Sequence, residues 1–350
     1  MKKINRQRLP ELSLMNCLLC LFVLFIHVSG STLISFTPGS LGHLGFFIPW
    51  WIASVAVYGF IFLSGLKLCL NIEKPFELGK FYWKRAKAIL FPYILWVVIY
   101  YIISLIQNGS PFSFKALGNA LITGNITSHL YFIVVILQFY LLAPLWRWCV
   151  QKIHPGIALP IALCLSCISL VRLNPTLQAF NLPPFQYTDR FFLTHLFFWL
   201  SGCYVGAYYQ DFKKGIQAHP LLCSVAFFIA TALDLYVGFT NTVGTRYLPL
   251  HTETHLLFLI IAILFFYMLC LKGQRLYQTK GIALLDRSSF AIYLSHIFIM
   301  NILAEGLIHL LKIQNILSAF AIRTLITFGL SLLLCMAYTK LKSYFLKKRG

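Results

Sequence analysis

Acidic side chains are scarce in this chain. Asp and Glu number 9 in 350 residues against 29 Lys and Arg, and charged residues make up only 11%. A soluble domain carries roughly 25% charge, so a fold that meets water on all sides is excluded. Long polar stretches are also missing, and with them any segment that could form a separate soluble domain. Disorder is excluded by the opposite quantity, since 59% of the residues are hydrophobic and mean hydropathy is +0.78. The solvent these numbers imply is a bilayer.

A span needs roughly 20 apolar residues to cross a hydrocarbon core about 30 Å thick. Ten runs meet that need, at 12–33, 46–70, 88–107, 129–149, 156–173, 190–209, 220–240, 254–272, 288–311 and 316–340. The chain therefore reads as an all-α, polytopic integral membrane protein of about ten transmembrane helices. Residues 1–350 read as one membrane-embedded domain.

The excess of cations reads as topology. With a cytoplasmic N-terminus, 22 of the 29 Lys and Arg fall inside, from Lys2, Lys3, Arg6 and Arg8 to a tail ending Lys347, Lys348 and Arg349. Five fall outside: Lys115, Arg172, Arg190, Arg246 and Lys312. Lys67 and Arg323 lie within spans. This asymmetry puts both termini in the cytoplasm, with 31–45 and 241–253 outside. It also implies contact with anionic membrane lipids, and no nucleic-acid partner is expected. The segment Met1–Ser31 loosely fits a signal peptide, but the spans that follow favour an uncleaved first helix. Asn108-Gly-Ser110 and Asn125-Ile-Thr127 are glycosylation sequons, meaningful only in a eukaryotic secretory setting.

The 10 cysteines lie almost entirely in apolar runs, so a disulfide framework is not expected. Cys17-x-x-Cys20 and Cys164-x-x-Cys167 lack a second Cys/His pair nearby and read as packing; no metal is expected. Polar groups inside spans are more informative, because hydrocarbon makes them costly. His27 falls in the outer half of the first span, and His296 near the middle of the ninth, above Asp286-Arg-Ser-Ser289. Asp234 and Glu305 lie near span ends, where solvated carboxylates are the default. His251-Thr-Glu253-Thr-His255 reads as a solvated outer loop, because its order is not that of a zinc protease. Lys84, Arg85 and Lys87 gather at the inner mouth of the third span. They suit positive-inside anchoring, or the capture of an anionic ligand bearing phosphates.

Several of these residues sit in motifs that resemble the membrane-bound acyltransferase 3 family. Arg8-Leu-Pro-Glu11 through Phe25-Ile-His27 is similar to that family's first helix. Phe62-Leu-Ser64-Gly65, Arg85 with Ile89-Leu-Phe-Pro92-Tyr93, and His129-Leu-Tyr131-Phe132 with Tyr140-Leu-Leu-Ala-Pro144 follow in order. Phe198-Trp-Leu-Ser-Gly202 and Ser289-Phe-Ala-Ile-Tyr293-Leu-Ser-His296 are similar to its later spans. Two positions depart from the pattern: Asn16 stands where a basic residue is usual, and Ala88 where the family often has a second Arg.

The resemblance implies an O-acyltransferase in a bacterial cell (inner) membrane. It would carry an acyl group, acetyl above all, from cytosolic acyl-CoA to a hydroxyl of an extracytoplasmic or cell-envelope glycan. Acyl-CoA is then a co-substrate, and no bound cofactor is expected. His27 matches the first-helix histidine and is the expected general base, since a neutral imidazole accepts a proton near pH 7. Arg85, Lys87 and Lys84 are expected at the donor. Ser64, His129, Tyr131, Asp234, Tyr293 and His296 are expected at the acceptor or around the base. A glycan or solute transporter is the alternative, although the chain shows no internal repeat and no matching pair of broken helices. A non-catalytic sensor or binding module is a third reading.

Overall fold

A computed structural model describes residues 9–244, 248 and 250–348, apart from the side chains of 345–348. The cations expected at Lys2, Lys3, Arg6, Arg8, Arg246, Lys347, Lys348 and Arg349 therefore lie wholly or in their side chains outside the described residues.

Among the described residues every regular element is helical. In chain order the helices are α1 (Pro10–Ile34), α2 (Leu41–Cys69), α3 (Leu78–Asn108), α4 (Phe114–Thr123), α5 (Tyr131–Leu141), α6 (Ala143–Lys152) and α7 (Pro155–Ala179). There follow α8 (Phe192–Ala207), α9 (Tyr209–Ala218), α10 (Pro220–Val243), α11 (His251–Lys272), α12 (Lys280–Leu310) and α13 (Ile316–Lys348). Local sequence explains their ends. Pro10 opens α1 where its missing N–H costs nothing. Ser40 and Ser113 accept from His43 N and Ala116 N to cap α2 and α4. Gly109, with φ +62°, closes α3 in the left-handed conformation that glycine tolerates best.

Among the described residues eight helices are long and apolar enough to cross a membrane: α1, α2, α3, α7, α10, α11, α12 and α13. The expected fourth span is instead a pair, α5 and α6, bent by 59°. Pro144 opens α6 and denies the ladder a donor at the break. Counted as one span, the pair makes nine. The expected sixth span, 190–209, is the shorter helix α8 preceded by irregular turns. The all-α polytopic reading stands, with eight or nine long spans among the described residues rather than ten.

Two long helices contain a wider turn ahead of a proline. In α3 the ladder widens over Ala86–Leu90, where Phe91 N–H reaches back to Ala86 O. Pro92 follows and cannot donate to the preceding turn. In α7 the wide turn Ile168–Arg172 precedes Pro175 in the same way.

The chain divides into two compact units, with the boundaries inside α2 and α9. The first unit comprises Met1–Gly59 and Lys213–Gly350. In it α1 packs against α2, α11, α12 and α13, while α10 packs against α11. Its buried core includes Met15, Leu19, Leu24, Phe258 and Tyr267. The second unit is Phe60–Phe212, with Phe139, Phe198 and Trp199 at its centre. The rings of Phe139 and Trp199 lie parallel at 4.5 Å.

Candidate functional site

In the first unit a polar seam follows α1, α12 and α13. At one end Asn16 Nδ2 donates to Asp286 Oδ1 at 2.9 Å and to Ser289 Oγ at 2.7 Å. The residue standing at the usually basic position thus ties α1 to α12 as a neutral amide. Farther along, the His27 and His296 rings lie 5.0 Å apart, tilted by 48°. His296 is fully buried. Its Nδ1 lies 2.7 Å from Tyr293 O and 3.2 Å from Ile292 O, so the Nδ1–H tautomer donates to the main chain and leaves Nε2 as acceptor. The Tyr293 ring lies 6.0 Å from that of His296. At the far end Arg323 donates to Glu305 and, at 3.2 Å, to Thr32 Oγ1. Glu305 is therefore ion-paired and not simply solvated. Of the residues singled out from sequence, His27, Tyr293 and His296 come together here.

Asp234 belongs to a different cluster of the same unit. It is fully buried and accepts from Trp51 Nε1 at 2.6 Å, His255 Nδ1 at 2.8 Å and Thr254 Oγ1 at 3.2 Å. These three donors, and not His27, are its hydrogen-bond partners. The expectation of a solvated end carboxylate is corrected: a carboxylate with three donors can be buried where a bare one cannot. The His251–His255 segment is likewise the opening of α11 and not a loop. Its i,i+4 spacing carries His251 and His255 on one helix face, their rings parallel at 6.3 Å. The spacing was visible in the sequence; the partner Asp234, 21 residues from His255, was not.

The remaining expected residues lie in the second unit. The half-buried Arg85 guanidinium stacks over Tyr140 at 4.4 Å and Phe81 at 5.3 Å. Its Nε is buried with no hydrogen-bond partner. Lys87 stands over the exposed Trp83 at 4.5 Å, and Lys84 is exposed. Arg85 and Lys87 therefore rest on separate aromatic surfaces. His129 is buried, with Nδ1 3.2 Å from Thr127 Oγ1 and its ring 5.7 Å from that of Tyr100. Tyr131 lies under Arg190, which lines a cavity of about 160 Å³ together with Gln138, Tyr187 and Phe191. Ser64 is half-buried beside Gly65 on α2.

The glycine motifs have a packing role. A Cβ on Gly65 would stand 2.3 Å from Trp199 O, and one on Gly202 would stand 2.1 Å from Phe62 O. The backbones of α2 and α8 touch at these points, which a larger residue would prevent. Arg147 is buried. It donates to Ile72 O at 2.6 Å and Lys74 O at 3.0 Å, at the end of α2. Among the described residues no three His, Cys, Asp or Glu side chains gather as a metal site, and none of the 10 cysteines is in a disulfide.

The Acyl_transf_3 family, described as an acyltransferase domain, matches residues 9–340. The Bacillus subtilis (strain 168) protein named "Putative membrane-bound acyltransferase YfiQ" is 24% identical over 328 residues, covering 88% of this chain and 85% of that protein. No solved structure matches the chain. With the family's motifs spread from α1 to α12 and its match running over nearly the whole sequence, the chain is a membrane acyltransferase of the acyltransferase 3 family.

Proposed function

We propose that this enzyme transfers an acyl group, acetyl above all, from cytosolic acyl-CoA to a hydroxyl of an extracytoplasmic glycan, with His27 as general base. The observation that carries this reading is the His27–His296 pair at 5.0 Å inside a membrane-spanning helical unit. An intramembrane histidine is costly to keep unless it works. The transporter and sensor readings give way to family membership.

The chemistry asks for few parts. The acceptor hydroxyl attacks the thioester carbonyl carbon, and its proton passes to neutral His27. Collapse of the adduct breaks the C–S bond, and His27 returns the proton to the leaving thiolate. His296, held by its Nδ1–H on Tyr293 O, presents Nε2 as an acceptor that can orient an N–H of His27. Asn16, Asp286 and Ser289 fix α1 against α12 and so hold the register of the pair. Arg85 and Lys87 supply cations for the phosphates of the donor, Arg85 with a guanidinium braced on Tyr140.

The test is direct. Purified full-length protein, given labelled acetyl-CoA and a cell-envelope glycan fraction, should move label to the glycan and release free thiol in equal amounts. Absence of both would return the acceptor and donor classes to question.

A further inference from the structure

α13 carries a row of buried polar residues every fourth position: Arg323, Thr327, Ser331 and Cys335. The two ends of the row have partners. Arg323 bonds Thr32 on α1, and Cys335 Sγ lies 3.4 Å from Ser295 Oγ on α12. The middle pair does not. Thr327 and Ser331 are both 0% exposed, and neither hydroxyl has a hydrogen-bond partner. Ser54, Thr231 and Thr324 of this unit also lack a partner, but of the unpaired hydroxyls described there only Thr327 and Ser331 are 0% exposed, and other helical hydroxyls are paired. Ser29, Ser224, Thr242, Ser288 and Ser295 each donate to the carbonyl four residues earlier. An unpaired hydroxyl buried in a membrane unit is costly to keep, so two in adjacent turns point to a ligand group that they meet.

Their depth follows from the contacts at the two ends. Starting at the Arg323–Thr32 contact, His27 lies five residues deeper along α1, about 7.5 Å. Thr327 and Ser331 lie four and eight residues deeper along α13, about 6 and 12 Å. Starting at the Ser295–Cys335 contact, His296 is the next residue of α12 and Ser331 is one turn away on α13. The two hydroxyls thus bracket the level of His27, and Ser331 lies about one helical turn from the level of His296. They also lie between Arg323 and Cys335 on the helix face turned to α1 and α12.

We propose that Thr327 and Ser331 donate to the thioester carbonyl oxygen as it becomes an oxyanion, a role that rests on the acyl-transfer reading of His27. When the acceptor oxygen bonds to the carbonyl carbon, the C=O π pair moves onto oxygen, and the two O–H groups receive that charge. The pair returns to re-form C=O as the C–S bond breaks. Neither hydroxyl gains or loses a proton. Donors placed before the reaction pay no reorganisation when charge develops.

The test compares full-length wild type with Thr327→Val/Ser331→Ala, Thr327→Ser and His27→Gln, using acetyl-CoA and the envelope glycan fraction. The double variant should lose about 10²-fold or more in kcat, with KM for acetyl-CoA nearly unchanged. Thr327→Ser, which keeps the hydroxyl, should retain most of the rate. The thermal midpoint of the double variant should stay level or rise, because buried unpaired hydroxyls have been removed. Loss of turnover without loss of stability separates this role from packing. Unchanged kcat in the double variant, with His27→Gln dead, would overturn the oxyanion role and leave the base in place. The reverse result, an active His27→Gln and a dead double variant, would overturn the base and keep the hydroxyls. A wild type that releases no thiol would overturn both.

Discussion

At the scale of single residues, hydrogen-bond partners show which polar groups hold the fold. Asp234 is such a group, since Trp51, Thr254 and His255 all spend donors on it. Asp234→Ala should cost about 2–4 kcal/mol, read as a lower unfolding midpoint in detergent, because it strands buried donors. Asp234→Asn should cost less, since the amide oxygen still accepts. A midpoint unchanged in Asp234→Ala would mean the cluster carries no stability. Arg85 and Lys87 form no ion pair among the described residues, and the proposed function sets them at the donor. The Arg85→Ala/Lys87→Ala double variant should fold and show a raised KM for acetyl-CoA. That rise should shrink at high salt, where exposed charges are screened beyond roughly 8–10 Å. An unchanged KM would return these cations to simple anchoring.

At the scale of elements, the apolar runs located the long helices because a bilayer demands length and apolarity, and composition reports both. Hydropathy does not report chain direction. The bend at Leu142 and the shortened α8 were therefore invisible inside windows of uniform apolarity. His27, His296 and Tyr293 were legible because a polar group in a span stands out against its surroundings. The Asp234 cluster was not, because Trp51 is 183 residues from its partner. Thr327 and Ser331 do not stand out in the sequence because hydroxyls are common in membrane helices, and only complete burial without a partner marks them. The family motifs Phe62–Gly65 and Phe198–Gly202 find their explanation here, in backbones that touch. Gly202→Ala should cost at least about 2–3 kcal/mol, because the added carbon meets the Phe62 carbonyl and not a flexible side chain. Gly281→Ala is the control: open space surrounds that position, and the unfolding midpoint should hold or rise slightly. Equal midpoints in the two variants would contradict close approach of α2 and α8.

At the scale of the whole molecule, donor and acceptor are expected on opposite sides of one membrane, and the cation asymmetry of the sequence predicts the orientation. Both termini should be cytoplasmic. Reporters active only outside should stay silent at either terminus and be active when inserted near residue 39, in the turn between α1 and α2. Outside activity at a terminus would invert the molecule and place the Asn16–Asp286 end, not the Arg323–Glu305 end, toward the acceptor. The central claim is that one imidazole in this membrane unit takes the acceptor proton. It is tested most directly by turnover of labelled acetyl-CoA in purified His27→Gln protein of wild-type size-exclusion behaviour and unfolding midpoint. Glutamine keeps a hydrogen-bonding group but cannot take a proton, and general bases typically contribute about 10²–10⁴-fold. The account predicts that glycan labelling falls by at least about 10²-fold while acetyl-CoA still binds. Near-wild-type labelling by the folded variant would contradict it.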